Sequence, residues 1–163
     1  MEFFNLMAKA AEDVGLQLSE QQYERFMKYM RLLQEWNEKI NLTAITEDEE
    51  VVKKHFIDCI KAFKRDEFKK AETLIDVGTG AGFPGMVLAI FNENIRFTLM
   101  DSIGKKTKFL QMVKDELGLE NVEIVTSRAE DFISDEKRES YDLGLCRGVS
   151  KLSTILELSL IHI

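Results

Sequence analysis

The spacing of apolar residues changes once along this chain, near residue 70. Before that point they recur at helical intervals. Tyr23, Phe26, Met27, Met30, Leu33 and Trp36 form one stripe, and Val52, Phe56, Cys59, Ile60 and Phe63 form another. Residues at i, i+3 and i+4 share one helix face, so each stripe predicts a helix with a buried side. A capping-box pattern precedes each: Ser19 with Gln22, and Thr46 with Glu49. In that pattern a hydroxyl and a Glu or Gln three places on satisfy two free backbone N–H groups. The first helix is expected to run to about Lys39. After residue 72, short apolar runs at 73–77, 95–100, 122–125 and 141–145 alternate with helical stretches near 84–92, 103–117 and 128–134, the second of these ended by Gly118. Apolar runs of that length predict parallel strands buried on both faces. The expected architecture is α/β: a helical segment over 1–70 packed on a Rossmann-like domain over 71–163, with right-handed crossovers and ligand residues at the carboxyl ends of the strands.

The first strand runs into Asp76-Val-Gly-Thr-Gly-Ala-Gly-Phe-Pro-Gly85, where Gly78, Gly80 and Gly82 allow a backbone to turn sharply against a ligand. Pro84, the one proline of the chain, stands where a helix would begin. A P-loop requires Gly-Lys-Ser/Thr after its glycines, and Phe83-Pro84-Gly85 excludes it. Gly80, Gly82 and Gly85 do spell G-x-G-x-x-G, with Asp101 placed to hold a ribose, so a nicotinamide-dependent enzyme binding NAD stays open. An acid two places before the first glycine, followed by glycine at every second position, is instead similar to motif I of the Rossmann-like S-adenosylmethionine methyltransferases.

Composition narrows the field. With 163 residues and 45% hydrophobic content the chain can bury one sizeable core. No apolar stretch is long enough to span a membrane, and an acid at Glu2 opposes a signal peptide, so a cytoplasmic protein is expected. Cys59 and Cys146 lack metal or redox spacing and read as plain buried thiols, and with His55 and His162 far apart no metal site is expected. A net charge of −7 argues against general nucleic-acid binding. Residues 53–70, however, carry seven bases and three acids, a local +4, and Lys105, Lys106 and Lys108 add a smaller cluster. Either group is a phosphate footprint or a solvated face.

Several separated pieces taken in order resemble one family: Trp36-Asn-Glu-Lys-Ile-Asn-Leu-Thr43, His55-Phe-Ile-Asp58, the glycine-rich run 76–85, Asp101-Ser-Ile-Gly-Lys-Lys106, Ser127-Arg-Ala-Glu130 and Arg147. Together they resemble the bacterial 16S rRNA (guanine-N7) methyltransferases of the methyltransferase G family, also known as glucose-inhibited division protein B. The resemblance implies a class I S-adenosylmethionine methyltransferase fold, S-adenosylmethionine as cofactor, and one guanine of the small-subunit rRNA as substrate. It implies that Gly78 and Phe83 line the cofactor, that Asp101 accepts hydrogen bonds from its ribose, and that Ala129 and Glu130 border its adenine. Arg147 would close the site and is the one candidate for a catalytic contact. His55 and Asp58 would lie near the mouth, without a catalytic role assigned.

The same resemblance marks departures. Cys59 replaces a usual serine, Gly148 a usual alanine, and the tail after Glu157 leaves the family pattern. Strands beyond the fourth are missing, which implies a C-terminally truncated form. Such a form is expected to expose its fourth strand as an edge, to self-associate there and through the apolar tail, and to methylate poorly. The basic stretch 53–70, with Lys105, Lys106, Arg128 and Arg147, would face rRNA in the small ribosomal subunit. A non-catalytic RNA-binding or ribosome-assembly module using only the basic helix is the remaining alternative.

Overall fold

The computed structural model describes residues 1–132 and 140–147. The expected tail at 152–163, Gly148, His162 and the last residues of the helix predicted at 128–134 lie outside them. Four strands occur among the described residues: β1 (Thr73–Val77), β2 (Arg96–Asp101), β3 (Val122–Thr126) and β4 (Leu143–Cys146). They pair in parallel in the order β3-β2-β1-β4. β4 begins at Leu143, two residues later than its apolar run suggests. Asp142, before it, accepts from the backbone N–H groups of Glu72 and Thr73 at 2.8 and 3.0 Å and so pins the start of β1.

Helices α5 (Gly85–Phe91) and α6 (Gly104–Leu117) make the β1–β2 and β2–β3 crossovers. Both step the same way across the sheet, so right-handed connections put them on one face. All seven residues of α5 are buried, because a further layer of helices covers its outer side. That layer comes from α1 (Phe4–Glu12) and α2 (Glu20–Asn37), then from the segment following residue 47. α2 packs on both α5 and α6. One apolar cluster therefore runs from Met7, Phe26 and Leu33 through Val87 and Ile90 to Leu74 and Leu99.

The predicted caps fare differently. At Ser19 the box forms: its Oγ accepts from Gln22 N at 3.1 Å, and Gln22 Oε1 accepts from Ser19 N at 2.9 Å. The helix it starts ends at Asn37, short of Lys39, because Asn37 turns its side chain onto the following loop. Its Oδ1 accepts from Leu42 N and Thr43 N at 2.8 and 3.0 Å, and its Nδ2 donates to Thr43 O at 2.9 Å. At Thr46 no box forms. The helix there begins at α3 (Asp48–Glu50) with Glu47 at the cap position and no side-chain bond. It then widens into a π-helical stretch, Val51–Ile57, before α4 (Asp58–Ile60) and two 3-10 turns, Lys61–Lys64 and Asp66–Lys69. Glu49 is drawn off instead by an ion pair with Lys53. The predicted stripe of that segment is buried all the same.

β2 and β3 lie to one side of β1 and β4 to the other, so the chain reverses direction between β1 and β4. In open α/β sheets the crevice at such a reversal, outside the carboxyl ends of the strands, is where ligands bind.

Candidate functional site

The glycine-rich turn leaves β1 at that crevice. Gly78 takes φ 68°, Gly80 φ 61° and Gly82 φ 102°, and the Phe83–Pro84 peptide bond is cis. Gly78 and Thr79 both donate backbone N–H to Met100 O, at 2.8 and 3.0 Å, which ties the turn to the end of β2. At Gly82 a side chain is excluded twice over. Its φ is strained for any L residue with a side chain, and a Cβ there would run into Tyr29 Oη and stand 3.0 Å from Met86 Cβ. Gly85 is excluded by space alone, since a Cβ would stand 2.7 Å from Asp76 Oδ2 and would overlap Leu99.

Asp76 is the ionisable residue of β1 and is fully buried. Its Oδ2 accepts from Thr79 Oγ1 at 2.7 Å and from Gly85 N at 2.8 Å. Its Oδ1 is buried without a partner. Burial pushes the carboxyl up to about 7, against the opposing pull of those two donors. An unpartnered oxygen of this kind costs about 1 to 3 kcal/mol, a cost that a donor or cation brought by a ligand would remove.

Asp101, the last residue of β2, turns both carboxylate oxygens to backbone. Oδ2 accepts from Gly80 N at 2.9 Å and Oδ1 from Ile103 N at 2.9 Å. Its backbone carbonyl accepts from Ser127 N at 3.1 Å, so β2 also fixes the approach to Ala129 and Glu130 at the start of α7 (Ala129–Phe132). Each carboxylate oxygen keeps a lone pair for a further donor such as a ribose hydroxyl. Gly78, Asp101, Ala129 and Glu130 thus lie along the carboxyl ends of β1, β2 and β3. Phe83 is placed otherwise. Its side chain is buried under the turn, stacked on His55 at 4.2 Å and 7° and near Tyr29 at 5.7 Å, so only its backbone is available to a ligand.

Arg147 follows the Val77–Cys146 pair, across the crevice from Gly78. Its guanidinium reaches toward the helical layer, 3.5 Å from Asp58 Oδ2 and 3.7 Å from Cys59 Sγ. Burial pushes the Cys59 thiol up to about 12, so the guanidinium meets a neutral thiol. Cys146 is only half-buried, contrary to the expectation of two buried thiols. His55 pairs through Nε2 with Thr43 Oγ1 at 2.8 Å while Nδ1 is buried without a partner. Burial, then the nearby Arg147 charge, lowers its basicity and keeps the ring neutral near pH 7. The 36–43 and 55–58 pieces therefore meet in a packed support beneath Phe83.

The basic stretch is divided. Lys53, Lys54, Lys61 and Lys69 pair with Glu49, Glu50, Asp58 and Asp66 of their own helical turns; Asp58 and Asp66 are already counted in the +4, and Glu49 and Glu50, from just outside the stretch, offset part of it. Lys64, Arg65 and Lys70 line a shallow groove with Asp66 and Glu67, where the chain leads into the start of β1. That is the opposite end of the strand from the glycine turn, about 16 Å away along five residues. At the mouth itself, Lys105 and Lys106 open α6 beside Asp101, with no ion pair among the described residues.

Sequence reasoning passed over three residues here. Thr79 was hidden as a variable place in the glycine pattern, and Tyr29 stands outside the apolar stripe read along its helix. Ile103 carried a signal, an apolar residue isolated between polar ones at a helix start; it is 48% exposed beside Asp101.

Comparison with known proteins now bears on these features. The family described as rRNA small subunit methyltransferase G matches residues 22–162. This chain belongs to that family. A ribosomal RNA small subunit methyltransferase G of Clostridium botulinum (strain Eklund 17B / Type B) is 60% identical over all of this chain, which spans 69% of that relative's length. The one from Clostridium perfringens (strain 13 / Type A) is 57% identical over 96% of this chain and 66% of its own. Among solved structures, a coclaurine N-methyltransferase bound to N-methylheliamine and SAH superposes with TM-score 0.48 at 18% identity, covering 73% of this chain and 34% of that one. A precorrin-6y C5,15-methyltransferase from Geobacter metallireducens gives 0.46 at 14% identity, covering 75% and 62%. The methyltransferase G membership rests on the sequence relatives, and the fold on the strand order described above.

Proposed function

We propose that this methyltransferase G family member transfers a methyl group from S-adenosylmethionine to N7 of one guanine in the 16S rRNA of the small ribosomal subunit. The observation that carries the reading is Asp76: a buried carboxylate with one oxygen unpartnered, under a positive-φ glycine turn, at the reversal point of the sheet. The α-ammonium group of an amino-acid end fits that oxygen better than the ribose hydroxyls or phosphates of a dinucleotide.

The residues fit the cofactor in order along the strand ends. Backbone at Gly78 and Phe83 lies against it, Asp101 receives its ribose hydroxyls, Ile103 offers an apolar surface beside them, and Ala129 with Glu130 border its base. When bound, S-adenosylmethionine supplies an electrophilic methyl group on a sulfonium sulfur. Guanine N7 carries an in-plane lone pair and no proton, so this chain needs no general base, and His55 stays committed to Thr43 and Phe83. Its task is alignment, worth as much as roughly 7 to 11 kcal/mol of a bimolecular barrier. Arg147, half-exposed and loosely held, can leave Asp58 for a phosphate or the guanine edge as a fixed cation. Lys105, Lys106 and Arg128 add positive charge around the same mouth and select for a preformed RNA surface within an otherwise acidic molecule.

The reading is tested by incubating the protein with small subunits lacking the modification and isotopically labelled S-adenosylmethionine, then identifying the labelled nucleoside by mass spectrometry. 7-Methylguanosine is expected as the labelled nucleoside. Label on another base or atom would overturn the assignment to N7.

A further inference from the structure

The turn that faces the crevice is held from behind by a helix outside the strand-and-helix repeat. Tyr29 lies on α2, fully buried, and its hydroxyl donates to the carbonyl of Ala81. Ala81 sits between Gly80 and Gly82, both at positive φ, at the crest of the turn. The rest of the turn closes on itself or on the sheet, through Gly82 N and Phe83 N to Thr79 O at 3.0 and 3.1 Å and through Gly78 N to Met100 O. The phenol ring is clamped between Phe56, at 5.6 Å, and Phe83, at 5.7 Å, so the hydroxyl has little freedom to go elsewhere. Burial pushes the phenol well above its usual range, which keeps the proton that makes the bond. Gly82 completes the fit, since any side chain there would occupy the space of the hydroxyl.

We infer that Tyr29 is a positioning residue for the cofactor turn, and that through it the N-terminal helical layer sets the affinity of a site to which it contributes no direct contact. The inference rests on the S-adenosylmethionine reading for its binding arm alone. Loss of one buried hydroxyl leaves the Ala81 carbonyl unpartnered and the crest free to shift.

The test compares Tyr29→Phe with Tyr23→Phe. Tyr23 lies on the same helix, and its hydroxyl accepts from Phe3 N at 3.2 Å, far from the turn, so both variants lose one hydrogen bond of α2. Amide exchange over residues 78–85 of the ligand-free protein, S-adenosylmethionine affinity by calorimetry and the melting temperature are measured for each. Tyr29→Phe is expected to speed exchange in the turn and to weaken S-adenosylmethionine about fivefold, the equivalent of one ordinary hydrogen bond. In methyl transfer the loss should sit in KM for the cofactor with kcat unchanged. Tyr23→Phe is expected to lower the melting temperature with exchange and affinity unaltered. If the wild-type protein itself fails to bind S-adenosylmethionine, the proposed function falls, and the exchange data alone decide the role of Tyr29. Equal exchange in Tyr29→Phe and wild type, equal effects of the two variants, or a Tyr29→Phe chain that does not fold would each overturn it.

Discussion

The two sides of the crevice are built to different tolerances. On the β1–β2 side, Asp76, Thr79, Gly80, Gly85 and Asp101 are tied by hydrogen bonds of 2.7 to 2.9 Å, with Asp76 and Asp101 buried. On the β4 side, Arg147 is half-exposed and reaches its partners only at 3.5 and 3.7 Å. The first is held in place before any ligand arrives. The second is a long cation on a loose tether, suited to a partner that arrives later and brings its own charge. On the proposed function, the rigid side would take the cofactor and the loose side the RNA.

The largest expected effect breaks the rigid side. Gly78→Val places a β-branched residue at φ 68°, where it is a steric outlier, and should abolish S-adenosylmethionine binding in calorimetry. Unchanged affinity would make the turn structural only.

Next comes the buried charge. Asp76 takes up its proton more readily folded than unfolded, between its usual 3.8 and about 7. The native state then holds more protons in that window, so its contribution to stability is full below the usual value and is lost as pH rises through about 7. The gap is worth on the order of 4 kcal/mol. Asp76→Asn stays neutral throughout. Its melting temperature should therefore gain on wild type as pH goes from 4 to 7.5, and a constant difference would show that Asp76 does not titrate there.

Asp101→Ala should be milder for cofactor, weakening binding by about 1 to 3 kcal/mol through loss of a charged acceptor. It also frees Gly80 N and Ile103 N. Wild-type affinity in the variant would reduce Asp101 to a backbone tie.

The smallest effect sharpens the loose side. Replacing Lys105 and Lys106 by Gln should lower the salt slope of rRNA binding by about one for each phosphate that is no longer neutralised, with cofactor affinity intact. The same change at Lys53 and Lys54, already paired with Glu49 and Glu50, should do less. The reverse ranking would return RNA recognition to the 53–70 stretch.

Local chemistry made much of this readable in advance. β1 and its turn, the cap at Ser19 and the stop at Gly118 are each written within a few neighbouring residues, and the structure has them where the sequence puts them. Gly85 and Tyr29 were less legible. The reason Gly85 lacks a side chain is Asp76 and Leu99, and the reason Tyr29 matters is Ala81, all of them residues brought close only by the fold. The Thr46 cap failed for a related reason: Glu49 had a second possible partner in Lys53, and a single sequence does not rank the two. Charge misled most. Counting 53–70 by itself overlooked Glu49 and Glu50 just before it, and the strand β1 that carries Lys70 away from the mouth.

The central claim is that the rigid side of the crevice is a preformed S-adenosylmethionine site. Calorimetric titration of the wild-type chain with S-adenosylmethionine, its demethylated product and NAD tests it most directly. Saturable binding of the first two at one site, with none for NAD, is the predicted result. Binding of NAD alone would contradict it.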